Sequence, residues 1–172
     1  MYKSILLVFS FFLILGCSGA KERNLKQLFN RDEIYHKSLL NTQKAQLIAS
    51  FETKALMTAT YLNPVFGNNK YKNLSIDVSG GEWFFIGVYI SGSKTNKFNE
   101  KGYYLTLNGN EPIEIKKLDK DDPLKYEMPM VDNWSTYYKV KFPTVHSKKL
   151  KLVFGSDRFG EDIMIFRKRK LK

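Results

Sequence analysis

The chain offers few residues of the types that enzymes use for catalysis. It contains one Cys and two His, and it lacks the Gly-x-Ser-x-Gly, His-Glu-x-x-His and lysine-containing Gly-rich loop motifs. His36 lies in a polar segment and His146 lies in a Val-His-Ser-Lys turn, so both are interpreted as surface residues. The sequence therefore predicts no catalytic residue and no cofactor.

The carboxylates of Asp119, Asp121 and Asp122 are spaced along the chain in a way that can suit Ca²⁺. The segment lacks the central Gly and the terminal Glu of a complete EF-hand loop, so we interpret it as a solvated turn. A structural zinc site built only from Cys and His needs four ligands, and one Cys with two His cannot supply them. No metal ligand is predicted.

Aromatic and basic side chains provide a candidate binding surface. Adjacent aromatic residues on a strand point to opposite faces of a sheet, so one member of a pair can be exposed beside lysines and bind a glycan or a protein edge. Basic residues near the C-terminus form a second group, for which a solvated tail is the alternative interpretation. The candidate residues are Trp134, Tyr137, Tyr138, Arg167, Lys168, Arg169 and Lys170.

The chain is strongly basic, with 28 Lys and Arg against 17 Asp and Glu and a formal charge of +11. Basic residues near anionic lipid headgroups gain about 1 kcal/mol each, so the basic tail is expected to assist surface attachment rather than folding. Nucleic acid is not expected as a partner, because the tail lacks the interleaved aromatics of a stacking platform.

A length of 172 residues corresponds to one main domain and excludes a large multidomain enzyme.

The first sixteen residues have the pattern of a signal peptide. Lys3 gives a short positive region, and residues 5–15 form an apolar run interrupted only by Ser10. This run is too short for an ordinary transmembrane helix, which needs about 20 residues. Residues 1–16 are therefore separated from the fold.

The sequence Ile14-Leu15-Gly16-Cys17 directly follows this run and resembles the lipobox of bacterial lipoproteins. The resemblance covers residues 1–17 only, and the remainder of the chain resembles no family that we identify. It implies a diacylglyceryl group on the Cys17 sulfur, cleavage after Gly16 and acylation of the new amino group. Ser18, where inner-membrane lipoproteins carry Asp, implies the outer membrane facing the periplasm. The alternatives are a signal-anchor helix or a plain signal peptide cut near Ala20.

A polar tether and then a helix are predicted after the lipobox. Residues 17–29 are assigned to the tether and residues 30–51 to the helix, with Asn30 as the cap residue and Glu33 three positions later. The apolar stripe of this helix consists of Ile34, Leu40, Leu47, Ile48 and Phe51. The pair Asn41-Thr42 is a position at which the helix can break into two.

Short strands separated by turn residues predict a mainly β fold over residues 52–167, an antiparallel β-sandwich that is immunoglobulin-like in shape. The run at Trp83 is apolar on both faces and is expected to be central in a sheet. Asn108-Gly109 predicts a hairpin, and residues 168–172 form the basic tail. The predicted strands are Thr53–Leu62, which is also compatible with a helix, Leu74–Ser79, Trp83–Ser91, Tyr103–Leu107, Pro112–Leu118, Tyr137–Phe142, Leu150–Phe154 and Ile163–Phe166.

Two functional hypotheses follow. The first is a lipoprotein anchored through acyl chains on Cys17, whose sandwich binds a protein or an envelope polymer without catalysis. The second is a small carboxylate-dependent hydrolase acting on envelope glycan. Two acidic side chains facing one concave pocket would favour the hydrolase. A closed sandwich with acids only on turns would favour the binding protein.

Overall fold

A computed structural model describes residues 33–67, 76–99 and 102–168. These residues form an N-terminal helix, two shorter helices and eight β-strands in two antiparallel sheets. The predicted mainly β, sandwich-like fold with a helix before it is confirmed. None of the helices within these ranges is long and apolar enough to cross a membrane.

The helices are α1 (residues 33–40), α2 (Asn63–Phe66) and α3 (Pro123–Glu127). The strands are β1 (Thr42–Ala49), β2 (Glu52–Tyr61), β3 (Glu82–Ile90), β4 (Tyr103–Leu107), β5 (Glu114–Lys117), β6 (Thr136–Phe142), β7 (Lys149–Ser156) and β8 (Gly160–Arg167). The larger sheet has the order β1-β2-β3-β6-β5, and the smaller sheet has the order β4-β7-β8.

Strand β3 is central in the larger sheet, as its doubly apolar sequence predicts. Phe84 and Ile86 face inward, and they pack between the two sheets with residues such as Leu152 and Phe154. Trp83 and Phe85 face outward and pack against the helices. Both faces of β3 are therefore covered, one by the smaller sheet and the other by the helices.

The predicted helix over residues 30–51 is wrong beyond residue 40, because Thr42–Ala49 is a strand. Helix α1 ends where the Asn41 amide donates to the Lys37 carbonyl (2.8 Å) and the Thr42 hydroxyl donates to the Ser38 carbonyl (2.7 Å). After this break Ala45 and Leu47 alternate inward. The sandwich therefore begins at Thr42, ten residues before the predicted boundary at 52, and the predicted start of the helix lies outside the described residues.

The β1–β2 turn contains two residues in the left-handed region, Ser50 (φ 52°) and Phe51 (φ 64°). Two-residue hairpin turns of this kind normally use Asn or Gly, because a side chain is strained at positive φ. The Phe51 side chain is fully exposed and gains no burial in return. The strand pairing of β1 and β2 holds this turn in place, since Ala49 pairs directly with Glu52.

The predicted strand Leu74–Ser79 is not a strand over its described residues, 76–79. Side-chain hydrogen bonds hold this segment in place of a ladder. The Asn63 amide nitrogen donates to the Val78 carbonyl (3.3 Å), and the Trp83 indole donates to the Ser79 carbonyl (2.9 Å). These bonds tie the segment to the start of β3 and to α2. Residues 74 and 75 lie outside the described residues.

The predicted hairpin between β4 and β5 is also wrong, although Asn108 and Gly109 do form a turn. Strand β4 pairs with β7 in the smaller sheet, whereas β5 pairs with β6 in the larger sheet. The Asn108 side chain accepts a hydrogen bond from the Lys151 amide (2.7 Å) and so extends the pairing of β4 with β7. The chain then crosses to the other sheet.

Candidate functional site

Two aromatic residues of the candidate binding surface are buried, which corrects the sequence prediction. Tyr137 is 2% exposed and Tyr138 is 4% exposed, whereas Trp134 is 77% exposed. The Tyr137 ring stacks on Phe85 with a centroid distance of 5.2 Å, on the face that the helices cover. Only Trp134 among the three is available to a ligand.

Tyr138 points to the opposite face and is buried between the sheets. Its ring meets Phe98 edge-on at a centroid distance of 5.1 Å, and its hydroxyl donates to the Asn96 carbonyl (3.3 Å). The two tyrosines do point to opposite faces, as adjacent strand residues must. Both are buried because both faces of the larger sheet are covered.

The basic residues of the candidate surface divide into three groups. Arg167 is exposed at the end of β8. Lys168 is paired with Glu82, so its assignment to a free tail is wrong. Arg169 and Lys170 lie outside the described residues, as does Cys17.

Glu82 is the centre of a buried polar cluster and is 2% exposed. Its carboxylate accepts hydrogen bonds from the Tyr61 hydroxyl (2.6 Å) and the Val145 amide (3.1 Å), and it pairs with the Lys168 ammonium. Burial, followed by the hydrogen bond to Glu82, raises the pKa of Tyr61 well above its ordinary value. Because both carboxylate oxygens of Glu82 are bonded to groups of the protein, we interpret this cluster as one that stabilises the fold.

A second group of cations lies on the outer face of the larger sheet. The Lys139 and Lys141 ammonium groups lie 4.2 Å and 5.0 Å from the centre of the Trp83 ring. Lys139 also donates to the Asp77 carbonyl (2.8 Å). Burial lowers the pKa of Lys139, although the nearby carboxylates of Asp77 and Glu114 oppose this shift. These lysines are engaged within the protein and offer little to a ligand.

The candidate functional site is a cleft at one end of the sandwich, which we call the distal end. This end carries the β1–β2 turn, the β3–β4 loop and the β7–β8 turn. The cleft, called the distal cleft, has a volume of about 870 Å³. Described residues that line it include Ser91, Ser93, Lys94, Thr95, Lys97, Tyr103, Ser156, Asp157, Arg158 and Phe159.

Asn96 fixes the loop wall of the distal cleft. It has a φ of 47°, its side-chain oxygen accepts from the Ile90 amide (2.9 Å), and its nitrogen donates to the Trp134 carbonyl (2.8 Å). Phe98 follows in the same loop and is 1% exposed in the core. The described part of this loop is therefore held at Asn96 and Phe98, and the Trp134 carbonyl is bonded to it.

The opposite wall is the β7–β8 turn. The Asp157 amide donates to the Gly102 carbonyl (2.9 Å), which joins this turn to the start of β4. The Tyr103 ring stacks on Phe154 with a centroid distance of 6.0 Å and lies 6.4 Å from Phe159. An aromatic surface thus continues from the core to the cleft.

The distal cleft has an excess of positive charge. Its described lining has three cations, Lys94, Lys97 and Arg158, and one carboxylate, Asp157. No chemical motif in the sequence marks this site, and it was not predicted. The available signal was the Ser-Gly-Ser-Lys-Thr-Asn-Lys segment between two strands, since long loops often carry binding residues.

A smaller cleft of about 450 Å³ lies between the end of α1 and β8, and Arg167 and Lys168 line it. Gln43 also lines this cleft, and its side chain bonds to both backbone groups of Ile165, including the Ile165 amide at 2.8 Å. These bonds join the edge strands of the two sheets. The Gln43 and Lys168 side chains in this cleft are therefore bonded to other parts of the fold.

The Asp119, Asp121 and Asp122 segment forms the entry to α3. Asp122 accepts a hydrogen bond from the Leu124 amide (2.9 Å) and is the N-cap of this helix. Within residues 33–67, 76–99 and 102–168, no group of three or more His, Cys, Asp or Glu side chains could hold a metal ion.

Comparison with protein-family models, with curated proteins and with solved structures gave no match to this chain.

Proposed function

We propose that this chain is a lipid-anchored envelope lipoprotein that binds a protein or an envelope polymer through the distal cleft and catalyses no reaction. The lipobox at Ile14–Cys17 supports the anchor and an outer-membrane location facing the periplasm. The observation that carries the binding function is the anchored, open cleft, which presents hydroxyls and cations but only one carboxylate in its described lining.

A carboxylate-dependent hydrolase acting on envelope glycan is the competing function. Glycoside hydrolysis ordinarily needs two carboxyl groups facing each other across the bond that breaks. Asp157 is the single carboxylate of the described lining, and its backbone amide is used to hold the turn against Gly102. This arrangement supports binding over hydrolysis.

The anchor is tested by replacing Cys17 with Ala. In the unaltered protein, the mature N-terminal peptide is expected to begin at Cys17 and to carry a diacylglyceryl group and an amide-linked acyl chain. The variant should lose both acylation and cleavage, because the sulfur is the atom that receives the lipid. Mass spectrometry of the N-terminal peptide makes the measurement. An unmodified Cys17 in the mature protein would refute the anchor.

Binding at the distal cleft is tested by photocrosslinking in cells. Thr95, which is exposed in the loop wall, is replaced by p-benzoylphenylalanine. The matched control carries the same probe at Lys151, which is exposed on β7 outside the cleft. We expect a crosslinked adduct from position 95, discrete for a protein or of mixed size for a polymer, and none from position 151, detected by a shift in electrophoretic mobility. No adduct at 95, or equal adducts at both positions, would contradict the proposal.

A further inference from the structure

We infer that the distal cleft binds an acidic glycan, with its cations contacting carboxylate or sulfate groups and its hydroxyl-rich wall contacting the sugar. This inference rests on the proposed binding function and specifies its ligand class. It is carried by the charge, the side-chain chemistry and the rigidity of the described lining.

The charge of the cleft comes from two separate elements. Lys94 belongs to the β3–β4 loop and Arg158 belongs to the β7–β8 turn. Both side chains are exposed, and neither forms an ion pair with another residue in the described part of the chain. A ligand that enters between the two walls therefore meets positive charge from both sides, with Asp157 as the one opposing carboxylate of the described lining.

The remaining groups of the lining suit a sugar. Ser91 and Thr95 are exposed and supply hydroxyls, which can both donate to and accept from sugar hydroxyls. The hydroxyls of Ser93 and Ser156 already accept hydrogen bonds from backbone amides of the loop and the turn. Gly92 follows Ser91, and a Cβ added there would have no atom within 4 Å, so the backbone is open to a ligand. Tyr103 and Phe159 are partly exposed and add aromatic surface.

A protein partner fits this lining less well than a glycan. The cores of protein interfaces are enriched in aromatic residues and Met and depleted in Lys and Ser. The loop wall of the distal cleft has instead two lysines and two serines, although Tyr103, Arg158 and Phe159 line the opposite wall. Its volume of about 870 Å³ lies within the range typical of sites for small ligands and is large enough for several sugar units.

The loop wall of the cleft is also held by contacts within the protein. Asn96 bonds to the Ile90 amide and to the Trp134 carbonyl, and Phe98 is buried in the core, so the loop that carries Lys94 is held in place. A preformed wall avoids the entropic cost of ordering a loop on binding. Weak individual contacts with hydroxyls and exposed charges can then sum to useful affinity.

The test uses the full chain in a nonionic detergent and measures binding to two acidic glycans, alginate and chondroitin sulfate. Neutral dextran and poly-glutamate, an acidic polymer without sugar, are the comparison probes. We expect binding to at least one acidic glycan that weakens with added salt, no binding to dextran, and weaker binding to poly-glutamate. Equal affinity for poly-glutamate and the acidic glycans would overturn the inference.

The variant Lys94→Glu/Arg158→Glu should weaken binding to the acidic glycan roughly tenfold or more, since two attractive contacts become repulsive. The matched control is Lys148→Glu/Lys149→Glu, which makes the same change in net charge at exposed residues outside the cleft. It should change affinity by less than about twofold. Equal losses in the two variants would mean that net charge alone drives binding and would overturn the inference.

The melting temperature of each variant checks folding, and Lys94→Gln/Arg158→Gln replaces the reversed pair if that variant unfolds. Failure to bind either acidic glycan would overturn the ligand class. If the Thr95 probe still forms its adduct in cells, the proposed binding function stands and only the glycan is wrong. If neither acidic glycan binds and the Thr95 probe forms no adduct, both the inference and the proposed function fail.

Discussion

Replacing Gly87 by Val is expected to lower the free energy of unfolding by about 3 kcal/mol or more. Gly87 lies in the central strand β3, and a Cβ added there would lie 2.6 Å from Tyr137 Cε1 and 2.7 Å from Thr58 Oγ1. Tyr137 cannot easily move away, because its ring stacks on Phe85 and its hydroxyl accepts a hydrogen bond from the Asp132 amide (2.7 Å). Urea unfolding followed by circular dichroism measures the loss.

The control for this prediction removes the ring that fills the space above Gly87. Tyr137→Leu should destabilise the fold by itself, because it deletes the stack on Phe85. In this background, however, Gly87→Ala should cost less than it does beside the intact ring, although the contact with Thr58 Oγ1 remains, and the two substitutions should be coupled. Equal costs of Gly87→Ala in both backgrounds would show that contact with the ring is not the cause.

The central position of β3 could be predicted because its sequence is apolar at consecutive positions, which requires cover on both faces. The burial of both Tyr137 and Tyr138 could not be predicted in the same way. Alternation along β6 does send them to opposite faces, but it does not tell which faces are covered. That depends on how the helices and the smaller sheet pack against β6. Gly87 was a local signal of a close approach, but its partner lies far along the chain.

The errors in secondary structure have a similar origin. Leu47 and Ile48 are compatible both with an apolar helical stripe and with a strand. Their pairing with β2 determines that they belong to strand β1. Ile48 proves to be 56% exposed, so the stripe was not a buried face. At Asn108 the turn itself was predicted correctly from local chemistry. The partner of β4 was not, because strand pairing across sheets leaves no local signature.

The distal cleft escaped prediction for a topological reason. Lys94 and Arg158 lie far apart in the sequence, and they come together only because β4 pairs with β7 and β3 ends beside them. Lys, Arg, Ser and Thr are also common surface residues, so their types alone carry little information. A site made of ordinary residues on separate turns becomes visible only when the strand order is known.

Replacing Lys168 by Met is expected to lower the free energy of unfolding by about 2 kcal/mol. Breaking a fully buried ion pair costs about 3–5 kcal/mol, because the remaining charge stays buried without its partner. The Glu82 side chain is 3% exposed but that of Lys168 is 28% exposed, so solvent screening reduces the expected cost. Thermal unfolding measures the change, and a lower melting temperature by roughly 5–10 °C is expected.

The matched comparison is a deletion of residues 169–172, which keeps Lys168 and removes two of its neighbouring cations, Arg169 and Lys170. This deletion should leave the melting temperature nearly unchanged. Removal of residues 168–172 should lower it at least as much as Lys168→Met, because it also deletes the hydrogen bond from the Lys168 amide to the Lys148 carbonyl (2.9 Å). Adding Glu82→Gln to Lys168→Met should recover part of the loss, because a neutral amide can still accept from the Tyr61 hydroxyl. Equal small effects of both deletions would mean that the pair with Glu82 contributes nothing. The dispensable tail would then begin at residue 168 after all.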